Sequence, residues 1–495
     1  KTGGLRISQV LDYVGENQPT TSKRYYYAKR NELSKSSGIK GVAPIYVSDQ
    51  YTSSYCTSGT APCVDYYFTY KSLNSSSLRN LYDSSQQTCQ YQYVTISGDD
   101  DDFLNGGEEF EFKVANDPPG FLIHGNYFEP VPQSNIYWGD GLELRHTTFK
   151  VDSATDSIIP LREVINEYHR DDRLNDTIYG FSVRKNYIKY CITYPYDDVR
   201  SMGNLDIMGY YIKLNWYYQS SRKTVKYDLN GENPVEYVEN YYFDNPQHLQ
   251  LTRVETVDSQ GEIKLTKTYY PDDVADIGSL GEPNLSVSEK QGLEYLKSPN
   301  LHLTGVPIQQ ESILKSQNGS VLSRTMQRTL YTKDPLTNLV LPRWISSIKG
   351  NYSNGTNPLL EQVSFDKYDS LGNLLQVSRA NGNTTSYIWG YDRQYPVAVI
   401  ENATRSQIEA LTDLGPDFHA GPGGLTTGQE DILRSGLPNS MVTTYAHLPL
   451  TGITEMTDPR GKGTFYSYDS YNRLKEVKDD LGQLLNDYLY NYRSN

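Results

Sequence analysis

Long apolar runs are missing from this chain of 495 residues. No stretch approaches the roughly 18 apolar residues that a membrane-spanning helix needs. Cysteine is scarce: Cys56, Cys63, Cys89 and Cys191 contain no Cys-x-x-Cys pair, and the seven-residue step from Cys56 to Cys63 does not suit a metal-ligand pair. The seven histidines (124, 146, 169, 248, 302, 419 and 447) never fall at His-x-x-x-His spacing, which argues against a local zinc site. Positive charge is outweighed: 46 Lys and Arg against 60 Asp and Glu leave a net charge of -14. A phosphate backbone or an anionic lipid surface therefore meets no global attraction, and nucleic acid is a poor partner. No apolar signal region follows Lys1, which fits a processed secreted chain or a cytosolic one.

What is abundant is tyrosine, 45 residues in all. A tyrosine ring buries area like an apolar side chain while its hydroxyl finds a partner, and such rings suit half-buried pleated surfaces. Segments of period-2 alternation recur almost throughout, as in Glu109-Phe-Glu-Phe-Lys-Val, Gly209-Tyr-Tyr-Ile-Lys-Leu-Asn-Trp and Pro234-Val-Glu-Tyr-Val-Glu. They predict a mainly β fold of successive antiparallel hairpins. Helical signals are few. Ser157 to His169 reads as a short amphipathic helix, and Thr404 to Leu414 with Gly428 to Ser435 as a helical pair flanking a glycine-rich loop at 420–425.

A turn signature, Asp-x-x-Gly, recurs at Asp258 to Gly261, Asp369 to Gly372, Asp458 to Gly461 and Asp479 to Gly482. Asp can bond the backbone two residues on, and Gly supplies a positive φ where the strand reverses. The last two copies begin 21 residues apart, a spacing that fits units stacked on a shared core. Between them, Tyr468-Asp-Ser-Tyr-Asn-Arg-Leu resembles the Tyr-Asp-x-x-Gly/Asn-Arg-Leu unit of RHS/YD-repeat proteins, and Tyr368-Asp-Ser-Leu-Gly-Asn-Leu is a second copy with Asn in place of Arg. Gly3-Gly-Leu-Arg-Ile, Ser386-Tyr-Ile-Trp-Gly-Tyr-Asp and Leu448-Pro-Leu-Thr-Gly are similar to phrases in large secreted or surface YD-repeat proteins of Bacteroidota-type bacteria. The resemblance is densest from about residue 360 onward. It implies an extended, coiled sheet or shell made of hairpins, with a β-rich, weakly repetitive region over 1–204 and the repeat region over 205–495, interrupted by a small helical insertion near 402–440. In that family the repeats commonly enclose or present a variable C-terminal domain, often a toxin. Here the sequence stops just after a repeat, so cargo is expected to be absent, cleaved or encoded past residue 495.

Elements that could carry chemistry are better read as structure. Asp458-Pro-Arg-Gly compares with a self-cleavage element of some RHS proteins, but in this register it is a turn. His169-Arg-Asp mimics the start of a kinase catalytic loop, yet Asp176 stands where Asn is expected and no phosphate loop precedes it. Asp99 to Asp102 concentrate carboxylates without the alternating ligands and distal Glu of a calcium loop, and read as a solvated acidic loop. Trp138, Trp216, Trp344 and Trp389 could stack on sugar rings, but aromatic positions in β repeats are more often core or cross-strand ladders. A disulfide such as Cys56–Cys63 suits an oxidising compartment, with free thiols as the alternative.

The sequence thus leads to a non-enzymatic secreted or surface scaffold with no cofactor and no metal. Its expected place is extracellular or outer-membrane associated. A protein partner or a C-terminal continuation is expected on the terminal strand, and a glycan is the other partner class. The alternatives are the shell of a polymorphic toxin and a carbohydrate-binding adhesin.

Overall fold

The computed structural model describes residues 6–13, 19–41, 45–52, 68–76, 78, 89–98, 101–115, 117–129, 131–134, 139–185, 202, 205–274, 287–301, 303–334, 337–348, 359–411, 414 and 422–490. The fold is mainly β and antiparallel, with few short helices, as the alternation predicts. Two compact units are present: Lys1–Tyr242 with Val254–Ile263, and Phe243–Arg253 with Lys264–Asn495. The strand Leu205–Lys226 lies in the first.

In the first unit, strands follow one another as antiparallel neighbours: Gln9–Tyr13, Pro19–Tyr26, Tyr93–Gly98, Gly107–Phe112, Glu143–Asp152, Ser157–Lys185, Leu205–Lys226 and Val235–Tyr242. The short strand Phe121–His124 adds to the far end of Leu205–Lys226, opposite residues 207–209. Phe103 and Phe149, both buried, meet with ring centroids 5.9 Å apart, and Phe128 and Val131 cover Met208.

Ser157 to His169 is not a helix but the start of the 29-residue strand Ser157–Lys185. A bulge explains the misleading spacing. Pro160 faces Phe149 and Arg162 faces Thr148, so Leu161 is an extra residue that breaks the period-2 pattern. The apolar positions around it then imitate a helical stripe. Pairing on both edges, with Glu143–Asp152 and Leu205–Lys226, overrides that local signal.

In the second unit, the strands from Gln309 to Asp487 form a meander in which each pairs with the next. Helix α1, Val287–Leu296, packs Leu293 and Leu296 with Val274 and Ile308. Among the described residues two further helices lie between the strands Tyr395–Glu401 and Met441–Leu448: α2, Arg405–Glu409, and α3, Thr427–Gly436. Both open on a Thr whose hydroxyl caps the third helical residue, a Gln that reaches back to the Thr N–H. Ile408 and Leu433 are fully buried among Ile388, Val397, Ile400 and Val442, each worth roughly 1.5–3 kcal/mol of apolar burial.

Candidate functional site: the repeat turns and their aromatic ladder

Every Asp-x-x-Gly turn has one geometry. In each of them the Asp N–H donates to the carbonyl four residues on, and the Gly N–H donates to the Asp carbonyl, at Asp258, Asp369, Asp458 and Asp479. Carboxylate Oδ1 accepts the backbone N–H of the second and fourth residues after it: Gln260 and Glu262, Leu371 and Asn373, Arg460 and Lys462, Leu481 and Gln483. Gly261, Gly372, Gly461 and Gly482 have φ of 79°, 91°, 80° and 75°. This is a three-residue hairpin loop, a type I turn followed by a left-handed residue.

The same hydrogen bonds recur in two further turns, one of which, Asp228 to Gly231, has the same Asp-x-x-Gly spacing with Gly231 at φ 77°. Asp228 bonds Asn230 N and Glu232 N, and Asp469 bonds Tyr471 N and Arg473 N, with Asn472 rather than Gly at the left-handed position (φ 61°). Ser316 to Gly319 and Arg379 to Gly382 repeat the backbone pattern without any Asp. At Asp469 the second carboxylate oxygen is gripped by the Arg473 guanidinium, which also lies over the rings of Tyr471 and Tyr490. At Asp369 the substituted Asn373 fills that role through Nδ2, at 3.1 Å. The Arg473 hydrogen bond holds Asp469 below the usual carboxylate range, and the backbone N–H groups of Lys462 and Glu232 do the same for Asp458 and Asp228.

Tyr368 and Tyr468 belong to a second regularity that spacing alone does not reveal. In five alternate hairpins of the meander the return strand carries a bulge near its start: Arg343, Leu375, Val397, Thr454 and Lys475 are each the extra residue. The carbonyl just before each bulge accepts a hydrogen bond from an aromatic ring later in the chain. Tyr368 Oη donates to Pro342 O (2.7 Å), Trp389 Nε1 to Leu374 O (2.9 Å), and His447 Nε2 to Pro396 O (2.9 Å). Tyr468 Oη donates to Ile453 O (2.8 Å) and Tyr490 Oη to Leu474 O (3.0 Å). Each donor but the last also faces, across its own hairpin, the next carbonyl in the series: Tyr368 opposes Leu374, Trp389 Pro396, His447 Ile453 and Tyr468 Leu474. The result is a ladder in which one aromatic closes the hairpin before it and frames the bulge after it. Burial pushes the Tyr368 hydroxyl up to about 12 and raises that of Tyr468.

Other candidate groups are dispersed. His248 Nε2 lies 2.9 Å from Asp273 Oδ1, while its Nδ1 accepts the Gln250 N–H at 2.9 Å. Asp273 also takes Asn245 Nδ2 and the Tyr270 N–H. Both ring nitrogens are thus engaged, and the imidazole is held as the Nε2–H tautomer. Asp171 is clamped by Arg173, and Asp101 by Arg24 and Tyr26. Among the described residues no group of three or more His, Cys, Asp or Glu is placed to hold a metal ion. Cys89 is a free cysteine, whereas Cys56, Cys63, Cys191, Asp99, Asp100 and Trp138 lie outside the described residues.

No family model matches the chain, and no curated protein does. Solved structures similar to it include crystal structures of TcdB2-TccC3-TEV and TcdB2-TccC3-Cdc42, each with a TM-score of 0.41, at 10% and 11% identity. The matches cover 79% and 80% of this chain and 20% and 21% of those chains. A third is the Tc holotoxin pore of Photorhabdus luminescens, with a TM-score of 0.19 at 11% identity over 77% of this chain and 20% of that one. This chain therefore spans about a fifth of the length of the chains it is similar to.

Proposed function

We propose that the chain is a non-enzymatic RHS/YD-repeat scaffold, working outside the cell or at its surface as a wall that other proteins pair with. The observation that carries this reading is the aromatic ladder. The tyrosines and the histidine of the ladder spend their polar atoms on bulge carbonyls of their own sheet. Among the described residues His248 and Asp273 form the nearest approach to a catalytic dyad, but Gln250 N–H occupies the nitrogen a general base would use.

Partner pairing belongs at the strand Leu484–Asp487. Among the described residues it pairs only with Leu474–Asp479, and Leu484, Leu485, Tyr488 and Leu489 in and after it are exposed. Open edges of this kind add strands. Native mass spectrometry of the full-length gene product tests the proposal. A stable protein partner, cross-linked to residues 484–490, is the expected result. A reading frame that continues past residue 495 into an unrelated domain would favour the toxin-shell alternative. Glycan binding lost on changing Trp216 or Trp344 would favour the adhesin. Turnover of a substrate that disappears in a single His248→Gln or Asp273→Asn variant would overturn the non-enzymatic reading.

A further inference from the structure

The first unit carries an edge of different character. Past an irregularity between Asp171 and Asn175, residues 175–185 pair in unbroken register with residues 205–215. Among the described residues no strand pairs with the outer edge of this segment, because the pairing of Glu143–Asp152 ends at Ile165. Residues 177, 179, 181 and 183 share one face of the sheet. On that face Tyr179, Phe181 and Val183 are 64%, 61% and 56% exposed. Tyr211 extends the face, 6.3 Å from the Tyr179 ring, and Phe121 extends it again, 6.0 Å from Tyr211. The opposite face is covered at Met208, which is buried against Phe128 and Val131, while Ile178 on that face is exposed.

From Thr177 to Val183 the edge has no charge, no proline and no bulge. Those are the devices by which proteins keep an edge strand from pairing. Their absence over a run of exposed aromatic and aliphatic side chains points to an edge built to be paired.

We propose that this edge pairs with the same edge of a second copy of the chain, antiparallel about a two-fold axis at Gly180. The segment is self-complementary in that register. Tyr179 of one copy faces Phe181 of the other, Thr177 faces Val183, Ile178 faces Ser182, Asp176 faces Arg184 and Asn175 faces Lys185. Opposite charges meet and like charges do not. The regular ladder, 175–185, is also centred on Gly180, so this register uses its whole length. Moving the axis to Phe181 sets Arg184 against Ile178, and moving it to Tyr179 sets Lys185 against Arg173. A contact of this kind is isologous and closes as a dimer, so it does not propagate. The paired faces would form one continuous apolar stripe, with aromatic rings stacked across the strands.

Sedimentation velocity of the full chain at roughly 100 μM, where any contact tighter than about 10⁻⁴ M is populated, should give the mass of a dimer. Phe181→Lys and Val183→Lys, at exposed positions, should each weaken that dimer at least about tenfold with an unchanged far-ultraviolet circular dichroism spectrum. Mild oxidation of a Tyr179→Cys/Phe181→Cys double variant should trap a covalent dimer, whereas either single variant and the parent chain should not. A parent chain that stays monomeric, or a dimer indifferent to both lysines, overturns the proposal. A dimer trapped by Phe181→Cys alone overturns the Gly180 axis. The trapping result stands even if a lysine variant fails to fold. Failure here leaves the pairing proposed at Leu484–Asp487 untouched, because the two concern different strands.

Discussion

The hydroxyl of Tyr368 shows what a single residue contributes to the ladder. Its bond to Pro342 O satisfies a half-buried carbonyl beside a bulge, and an unpaired acceptor there costs free energy. Tyr368→Phe should lower the stability of the second unit by about 1 kcal/mol, read by chemical denaturation. The same variant should change the alkaline limb. Burial raises the folded-state value of Tyr368 from 10.0 to about 12, so its contribution is complete below the unfolded value of about 10 and is lost as pH rises toward the folded one. Stability should fall less steeply across that window in Tyr368→Phe than in the parent chain. Gly292 poses the opposite problem. A mid-helix glycine costs about 0.8–1.0 kcal/mol against alanine, yet a Cβ at 292 would sit 1.7 Å from the Tyr331 carbonyl oxygen. That clash is with backbone, and overpacking typically costs 1–3 kcal/mol. Gly292→Ala should therefore destabilise despite the gain in helix propensity, and a rise in melting temperature would show that α1 can move off the strand.

At the scale of the element, the hairpin turn is set by one Asp and one left-handed residue. Gly461 has φ of 80° and open space around its Cα, so a substitution there tests conformation without packing. Gly461→Val should cost roughly 1–2 kcal/mol. Gly461→Asn should cost much less, because Asn472 already holds that conformation in the next turn. Equal melting temperatures for the two variants would mean that the Asp458 hydrogen bonds, not φ, decide the turn. The Asp-x-x-Gly spacing makes such turns visible in the sequence. Ser316 to Gly319 and Arg379 to Gly382 escape it because the backbone supplies the same bonds without a carboxylate. The ladder is harder still to see. Its donors differ in kind, Tyr, Trp and His, and its acceptors are main-chain carbonyls that leave no mark in the sequence. The paired threonine and glutamine caps of α2 and α3 are written in the sequence. Helix α1 is obscured by its own glycine, and Ser157 to His169 misleads because a bulge breaks the strand's alternation.

For the whole molecule the shared turn chemistry sets the response to acid. Asp228, Asp458 and Asp469 are all held below their ordinary value by hydrogen bonds that only the folded chain offers. Their contributions are whole above the unfolded value of about 3.9 and are lost as pH falls through the lower folded values. Neutralising carboxylates also relieves the repulsion of a net charge of -14, but at 0.1 M salt that repulsion is screened beyond about 10 Å. Loss of the specific bonds should win. Melting temperature at that salt should decline once pH drops under about 4, and less so in an Asp458→Asn/Asp469→Asn double variant, where the amide keeps an acceptor but no longer titrates. The ladder also has a direction in time. Every donor comes later in the chain than the carbonyl it completes, by 15 residues for Tyr468 and Trp389 but by 51 for His447, with the helices between. At a synthesis rate of about 5–20 residues per second, most hairpins wait on the order of 1–3 s for their closing aromatic, while the one around Pro396 waits about 3–10 s. During that interval it is the weakest rung on the growing chain, and a chaperone or a misplaced strand would find it there first.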